Sequence, residues 1–157
     1  MTELRRSDAS RKEVEAAVNS FFEAGKNGDM TALQRLHGPA DRFTKFDDVP
    51  PYSRQGSDEA FVHEQAYFAT VSDLRYDLAD LKIDFVADAA VATFYLVTKG
   101  IMINDYSYEG RTVSNRSRVT MILARDDGGW KIFHEHLSLV PEWSSRAEER
   151  SSGGDPL

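Results

Sequence analysis

The chain has 157 residues, 26 of them acidic and 19 basic, giving a formal charge of −7, and it has no cysteine. That length suits one domain with a single core. The acidic balance excludes general attraction to phosphate backbones, so nucleic acid is not an expected partner. The lack of cysteine rules out disulfides, thiolate nucleophiles and cysteine-ligated zinc.

The N-terminal stretch MTELRRSDASRKE is polar and lacks the apolar run of a signal peptide. Residues 1–9 are therefore expected to be flexible, and the cytoplasm is the default location. No segment reaches the apolar length that spans a bilayer, so no membrane partner is expected. A first helix should start near Ser7 or Ser10 and run to about Lys26, since Val14, Ala17, Val18, Phe21 and Phe22 recur at helical spacing on one face. Gly28 suits the left-handed position that ends it, and Asp29 or Thr31 can cap a short second helix that turns Met30, Leu33 and Leu36 inward. The stretch FTKFDDVPPYSRQG is irregular or short-stranded, because Pro50-Pro51 forbids a central strand. Ser57 is expected to cap a third helix, with Asp58 and Glu59 placed favourably in its first turn.

From Leu74 onward the period changes to two, with β-branched residues, over runs 74–87, 90–104, 111–125 and 129–140. Short connections, ADAA and DDGG, make antiparallel hairpins of the first and last pairs. NDYSYEG is a longer loop or a bulged hairpin, and the low-complexity segment 141–157 reads as a mobile tail. Helices followed by an antiparallel meander define an α+β domain over residues 10–140, with the helices on one face of a curved sheet. The other face is also apolar, with Val91, Tyr95, Val97, Ile101 and Ile103 on it. An open face of that kind calls for a cover, most simply a second copy, so a homodimer through the outer sheet face is expected.

The series FFEAGKNGDMTALQRL, KFDD, QGSDEAF and the final GGWKIFHEHLS resembles the SnoaL-like branch of the nuclear-transport-factor-2-like superfamily. Within that superfamily it looks most like the association domain of calcium/calmodulin-dependent protein kinase. The resemblance implies a cone-shaped α+β fold, a curved antiparallel sheet wrapped around three N-terminal helices, with an internal pocket. Its members include isomerases, dehydratases and cyclases as well as non-catalytic binding and oligomerisation modules, and the fold does not choose among them.

Pocket candidates come from strand parity and from that resemblance. Strict alternation puts His134 and His136 on one face with Trp130, Ile132 and Ser138. His136 is then a proton donor or acceptor beside a ligand, or a histidine hydrogen-bonded within the fold. His134 is the weaker of the two. A metal would need a third ligand from Asp47, Asp48 or His63 beside the two histidines, and no metal or other cofactor is expected. Arg118 matches a pocket arginine of the kinase association domain and would bind a carboxylate or phosphate. Thr120 shares its face, while a second such arginine falls near Leu96. Asp47 or Asp48 matches the general base of steroid isomerases, although the oxyanion tyrosine of those enzymes falls at Phe21, which has no hydroxyl. The competing reading of Asp47-Asp48 is a solvated turn. Tyr52 and Tyr67 are further rim or wall groups. Two functions stay open: a proton-transfer enzyme acting on an apolar, carboxylate-bearing small molecule, and a non-catalytic ligand-binding or assembly module.

Overall fold

The computed structural model describes residues 2–103 and 109–141, with side chains from residue 7 onward. The loop 104–108 and the tail containing Trp143 lie outside the described residues.

Helix α1 (Thr2–Lys26) begins ahead of Ser7 and Ser10. Glu3, Leu4, Arg5 and Arg6 are good helix formers, and no glycine or proline precedes Gly25. Val14, Val18, Phe21 and Phe22 form its buried face, as their spacing requires. Gly28 takes φ +70° after the helix. Asp29 then caps α2 (Met30–Leu36), its Oδ1 accepting from the Ala32 N–H at 3.0 Å. Helix α3 (Ser57–Thr70) departs from expectation at its start: Gly56 is the cap residue and no side chain caps the turn. Ser57 already lies inside that turn.

The strands are β1 (Thr44–Phe46), β2 (Val71–Val86), β3 (Ala89–Ile103), β4 (Gly110–Asp126) and β5 (Gly129–Leu139). They form one sheet in the order β1-β5-β4-β3-β2. Strands β2 to β5 are an antiparallel meander, and the three-residue β1 lies parallel to β5 at the sheet edge. Asp127 and Gly128 both take positive φ, 52° and 81°, in the two-residue turn between β4 and β5, which matches the right-handed twist of the flanking strands. Bulges interrupt β2 after Ser72 and after Ala79. Asp73 and Asp80 sit in them with φ 49° and 55°, bending the strand so that the sheet curves over α1 and α3. The core fills this concave side, where Val14, Val18, Phe21 and Leu33 from the helices meet Phe94, Leu96, Met121, Leu123 and Ile132 from the sheet.

A third irregularity decides the site. Leu123 pairs with Ile132 and Ile122 pairs with His134, which leaves Phe133 as one extra residue on β5. A one-residue bulge reverses the alternation beyond it. Trp130 and Ile132 are buried before the bulge, and Glu135 and Leu137 are buried after it. His134, His136 and Ser138 are thereby turned to the outer face.

Gly25 lies where α1 meets α3, and a Cβ added there would stand 2.2 Å from the Phe68 ring. Alanine favours an exposed helix interior over glycine by about 1 kcal/mol, but overpacking costs about 1–3 kcal/mol. Gly25→Ala is therefore expected to be less stable than the parent despite its better propensity. Urea unfolding followed by circular dichroism measures the difference, and a stabilised variant would mean that the ring gives way freely.

Candidate functional site

A cavity of about 120 Å³ lies between the concave sheet face and helices α1 and α3. Phe21 and Phe22 of α1, Phe68 of α3 and Leu74, Leu96, Leu137 and Leu139 of the strands form its apolar walls. Lys45, Asp47, Asp48, Glu64, Ser117 and Glu135 form its polar side.

Strand β1 aims the lysine inward. In Thr44-Lys45-Phe46 only the middle residue is buried, and the parallel register sets it beside Glu135 of β5. Its Nζ stands 3.1 Å from Glu64 Oε1, 3.4 Å from Asp47 Oδ2 and 3.6 Å from Glu135 Oε2. Behind Glu64 lies His37, with Nε2 3.3 Å from Oε2 and its ring stacked on Phe43. Ser117 donates from Oγ to Asp48 Oδ2.

Burial and mutual charge separate these groups. Burial disfavours the Lys45 ammonium, but Glu135, Glu64 and Asp47 outweigh it and hold the group charged well above the usual lysine range. Glu64 is likewise desolvated, yet Lys45 and His37 draw its carboxyl below the usual value. Glu135 is 1% exposed. Burial pushes its carboxyl from the usual 4.5 up to about 7, Lys45 offsetting part of the rise and Glu64 adding to it. Asp48 is also raised, mainly by burial, with Ser117 pulling the other way. Tyr67, raised by burial, shares a hydrogen bond with Thr98 at the cavity wall.

Of the residues singled out from sequence, Asp47, Asp48 and Tyr67 line the cavity. His134, His136, Arg118 and Thr120 do not; parity beyond the Phe133 bulge places the two histidines outside, and the β4 register puts Arg118 and Thr120 on that outer face with Ser138 and His136. There His134 Nδ1 lies 2.8 Å from Thr44 Oγ1, and the Phe46 ring is 6.0 and 5.3 Å from the rings of His134 and His136. Burial first, and then His136, depress the basicity of His134. Arg118 donates through Nε to Ser138 Oγ at 3.1 Å and through a terminal nitrogen to the Leu139 carbonyl at 3.3 Å, and among the described residues no guanidinium lines the cavity. Tyr52 is 62% exposed and takes no part in the lining. Phe21 and Leu96, the positions at which the resemblance lacks a tyrosine and an arginine, both face the cavity.

Lys45, Glu64 and Glu135 were not among the residues expected. The available signal for Glu135 is a carboxylate in a row with Phe133, Leu137 and Leu139, and for Lys45 a charge between Phe43 and Phe46. Among the described residues no three His, Asp or Glu side chains are arranged to hold a metal ion. The Lys45 ammonium itself occupies the centre of the carboxylates.

A curved five-stranded sheet covered by three helices, with the cavity between them, is the cystatin-like fold of nuclear-transport-factor-2-like proteins. The SnoaL-like domain family matches residues 14–142, and the chain belongs to it. An NTF2-like superfamily protein from Salmonella enterica serovar Typhimurium superposes with a TM-score of 0.72 at 19% identity, over 85% of this chain and 92% of that one. A candidate dehydratase of the NTF2-like family from Streptomyces avermitilis gives 0.71 at 21% identity, over 85% and 98%. The calcium/calmodulin-dependent protein kinase II hub of S. rosetta gives 0.64 at 22% identity, over 82% and 95%. Likeness at these identities establishes the fold and no activity. No curated protein matches the sequence.

Removing one partner of a buried ion cluster leaves the others uncompensated, at a cost of about 3–5 kcal/mol. Lys45→Met is expected to lose stability on that scale at neutral pH. The deficit should shrink on acidification, as the carboxylates left without a cation take up protons. Chemical denaturation across pH tests this, and a deficit independent of pH would place the lysine's contribution in its packing.

Proposed function

We propose that this is a small-molecule-binding protein that transfers a proton to and from an apolar ligand in the cavity, in chemistry of the isomerase, dehydratase or cyclase type. One observation carries the reading: Glu135, buried at the cavity wall, is poised at about 7, so both of its protonation states are populated at neutral pH. The carboxylate form takes a proton from the ligand and the acid form returns it. Lys45 keeps Glu135 from staying wholly neutral, and Asp48, held by Ser117, is the auxiliary base.

Glu135 binds its proton more tightly in the folded chain, at about 7, than at its usual 4.5. The cost of ionising it in the folded chain is therefore absent well below about pH 4.5, grows up to about pH 7, and is constant above. Glu135→Gln keeps the neutral form at every pH. Between those limits the parent should lose about 3 kcal/mol of stability relative to the variant. Carbon-13 NMR of labelled glutamate carboxyls, assigned with the same variant, should show a midpoint near 7. A midpoint below that of a free carboxyl would remove the proton-transfer role.

We also propose a homodimer through the outer face. Ile101, Ile103 and Ile122 are between 36% and 47% exposed there, beside the Arg116 guanidinium lying 4.3 Å over the Tyr95 ring. The likeness to a kinase hub supports assembly. Ile122→Lys is expected to convert the dimer to a monomer in sedimentation equilibrium without change in the circular dichroism spectrum. A parent that is already monomeric would end this second reading.

A further inference from the structure

We propose that the ligand of this cavity is an amine, its ammonium group seated between Asp48 and Glu135 and its apolar body against the aromatic wall. The inference rests on the reading of the cavity as a small-molecule site and names the chemical class that site selects.

The first observation is the imbalance of charge. Four carboxylates, Asp47, Asp48, Glu64 and Glu135, line the cavity, and Lys45 is the one lysine or arginine among the lining residues. An ammonium has three N–H donors and no acceptor. That of Lys45 donates to Glu64 at 3.1 Å and is also faced by Asp47 at 3.4 Å and Glu135 at 3.6 Å as ion-pair neighbours, so its positive charge is already balanced within the cluster. An anionic ligand would meet carboxylates with no free cation to receive it.

The second observation is independent of that count. Glu135 is 1% exposed and faces the cavity, yet its Oε2 has no hydrogen-bond donor among the described residues. A buried acceptor in this state favours any guest that brings an N–H. Asp48 accepts from Ser117 Oγ and, with four lone-pair sites, has room for more. An ammonium satisfies both carboxylates at once through charge-assisted bonds, which a neutral hydroxyl does only weakly. The rings of Phe21, Phe22, Tyr67 and Phe68 supply apolar cover and faces that attract a cation.

Isothermal titration of the full chain with benzylammonium chloride, benzyl alcohol and sodium benzoate at near-neutral pH tests the assignment, because the three probes share one ring and differ in charge. Benzylammonium is expected to bind about tenfold or more tightly than benzyl alcohol, as a charge-assisted hydrogen bond implies, and benzoate to give no heat. In Asp48→Asn the ratio of the first two affinities should fall toward one, with folding checked by circular dichroism. Equal affinities of the parent for amine and alcohol would overturn the ammonium seat while leaving the small-molecule reading standing. Tightest binding of benzoate would overturn the seat and reverse the sign of the site. Failure of all three to bind would overturn both the seat and the cavity reading on which it rests.

Discussion

The Lys45 ammonium is buried and faces Glu64, Asp47 and Glu135 within 3.6 Å. Asp47 follows Lys45 closely in the chain, but Glu64 comes from α3 and Glu135 from β5, so one cation joins the edge strand to a helix and to a strand far along the sequence. Desolvating such charges costs several kcal/mol per ion, and the attraction between them repays this only where geometry is good. A lysine among carboxylates is a weak stabiliser overall but a strict organiser, since its loss leaves its neighbours unpaired. The edge strand β1, three residues long, is held by its pairing with β5, by a backbone bridge between Lys45 and Gln55, and by the reach of Lys45 into this cluster.

The same cluster divides acidity unequally. Burial opposes ionisation of both glutamates, but at Glu64 it is outweighed by Lys45 and His37, whereas at Glu135 it outweighs Lys45, Glu64 adds to it as a like charge, and the carboxyl rises. Two glutamates sharing one counter-ion thus take different protonation behaviour according to whether nearby positive charge outweighs their burial. The apolar walls sharpen the contrast, because they exclude the water that would level it.

Much of the fold was legible in the sequence. The helical spacing of Val14, Val18, Phe21 and Phe22, the Gly28-Asp29 junction and the period-two runs after Leu74 mark elements whose local chemistry and tertiary role agree. The start of α3 was not legible, since Ser57 is a good cap residue that here lies one position inside the helix. The site was legible only in part. Asp47, Asp48 and Tyr67 belong to segments whose placement follows from chain order, but the strand residues depended on parity, and parity is a long-range property. Whether His134 or Glu135 faces inward turns on Phe133, whose displacement from the pairing of β4 and β5 leaves no local mark in GGWKIFHEHLS. Without it, alternation from Trp130 and Ile132 leads to the imidazoles, and with it to the carboxylate. Arg118 and Thr120 face outward by the unbroken alternation of β4 itself, in which Ser117, Val119, Met121 and Leu123 are the buried set.

The extra residue at Phe133 makes β5 a strand with two interchangeable linings. One lining, Glu135 with Leu137 and Leu139, faces the cavity, and the other, His134 with His136 and Ser138, faces away. Since side chains alternate with a period of two, a chain of unchanged length in which Phe133 paired in regular register with β4 would exchange the linings while leaving Trp130 and Ile132 in the core. The cavity would trade a carboxyl for imidazoles, and Lys45 would lose an anion and gain neighbours that compete for its positive charge. Relatives that keep every letter of this strand but pair it without the bulge therefore need not share its chemistry, whereas one that lacks the extra residue keeps its carboxylate facing the cavity.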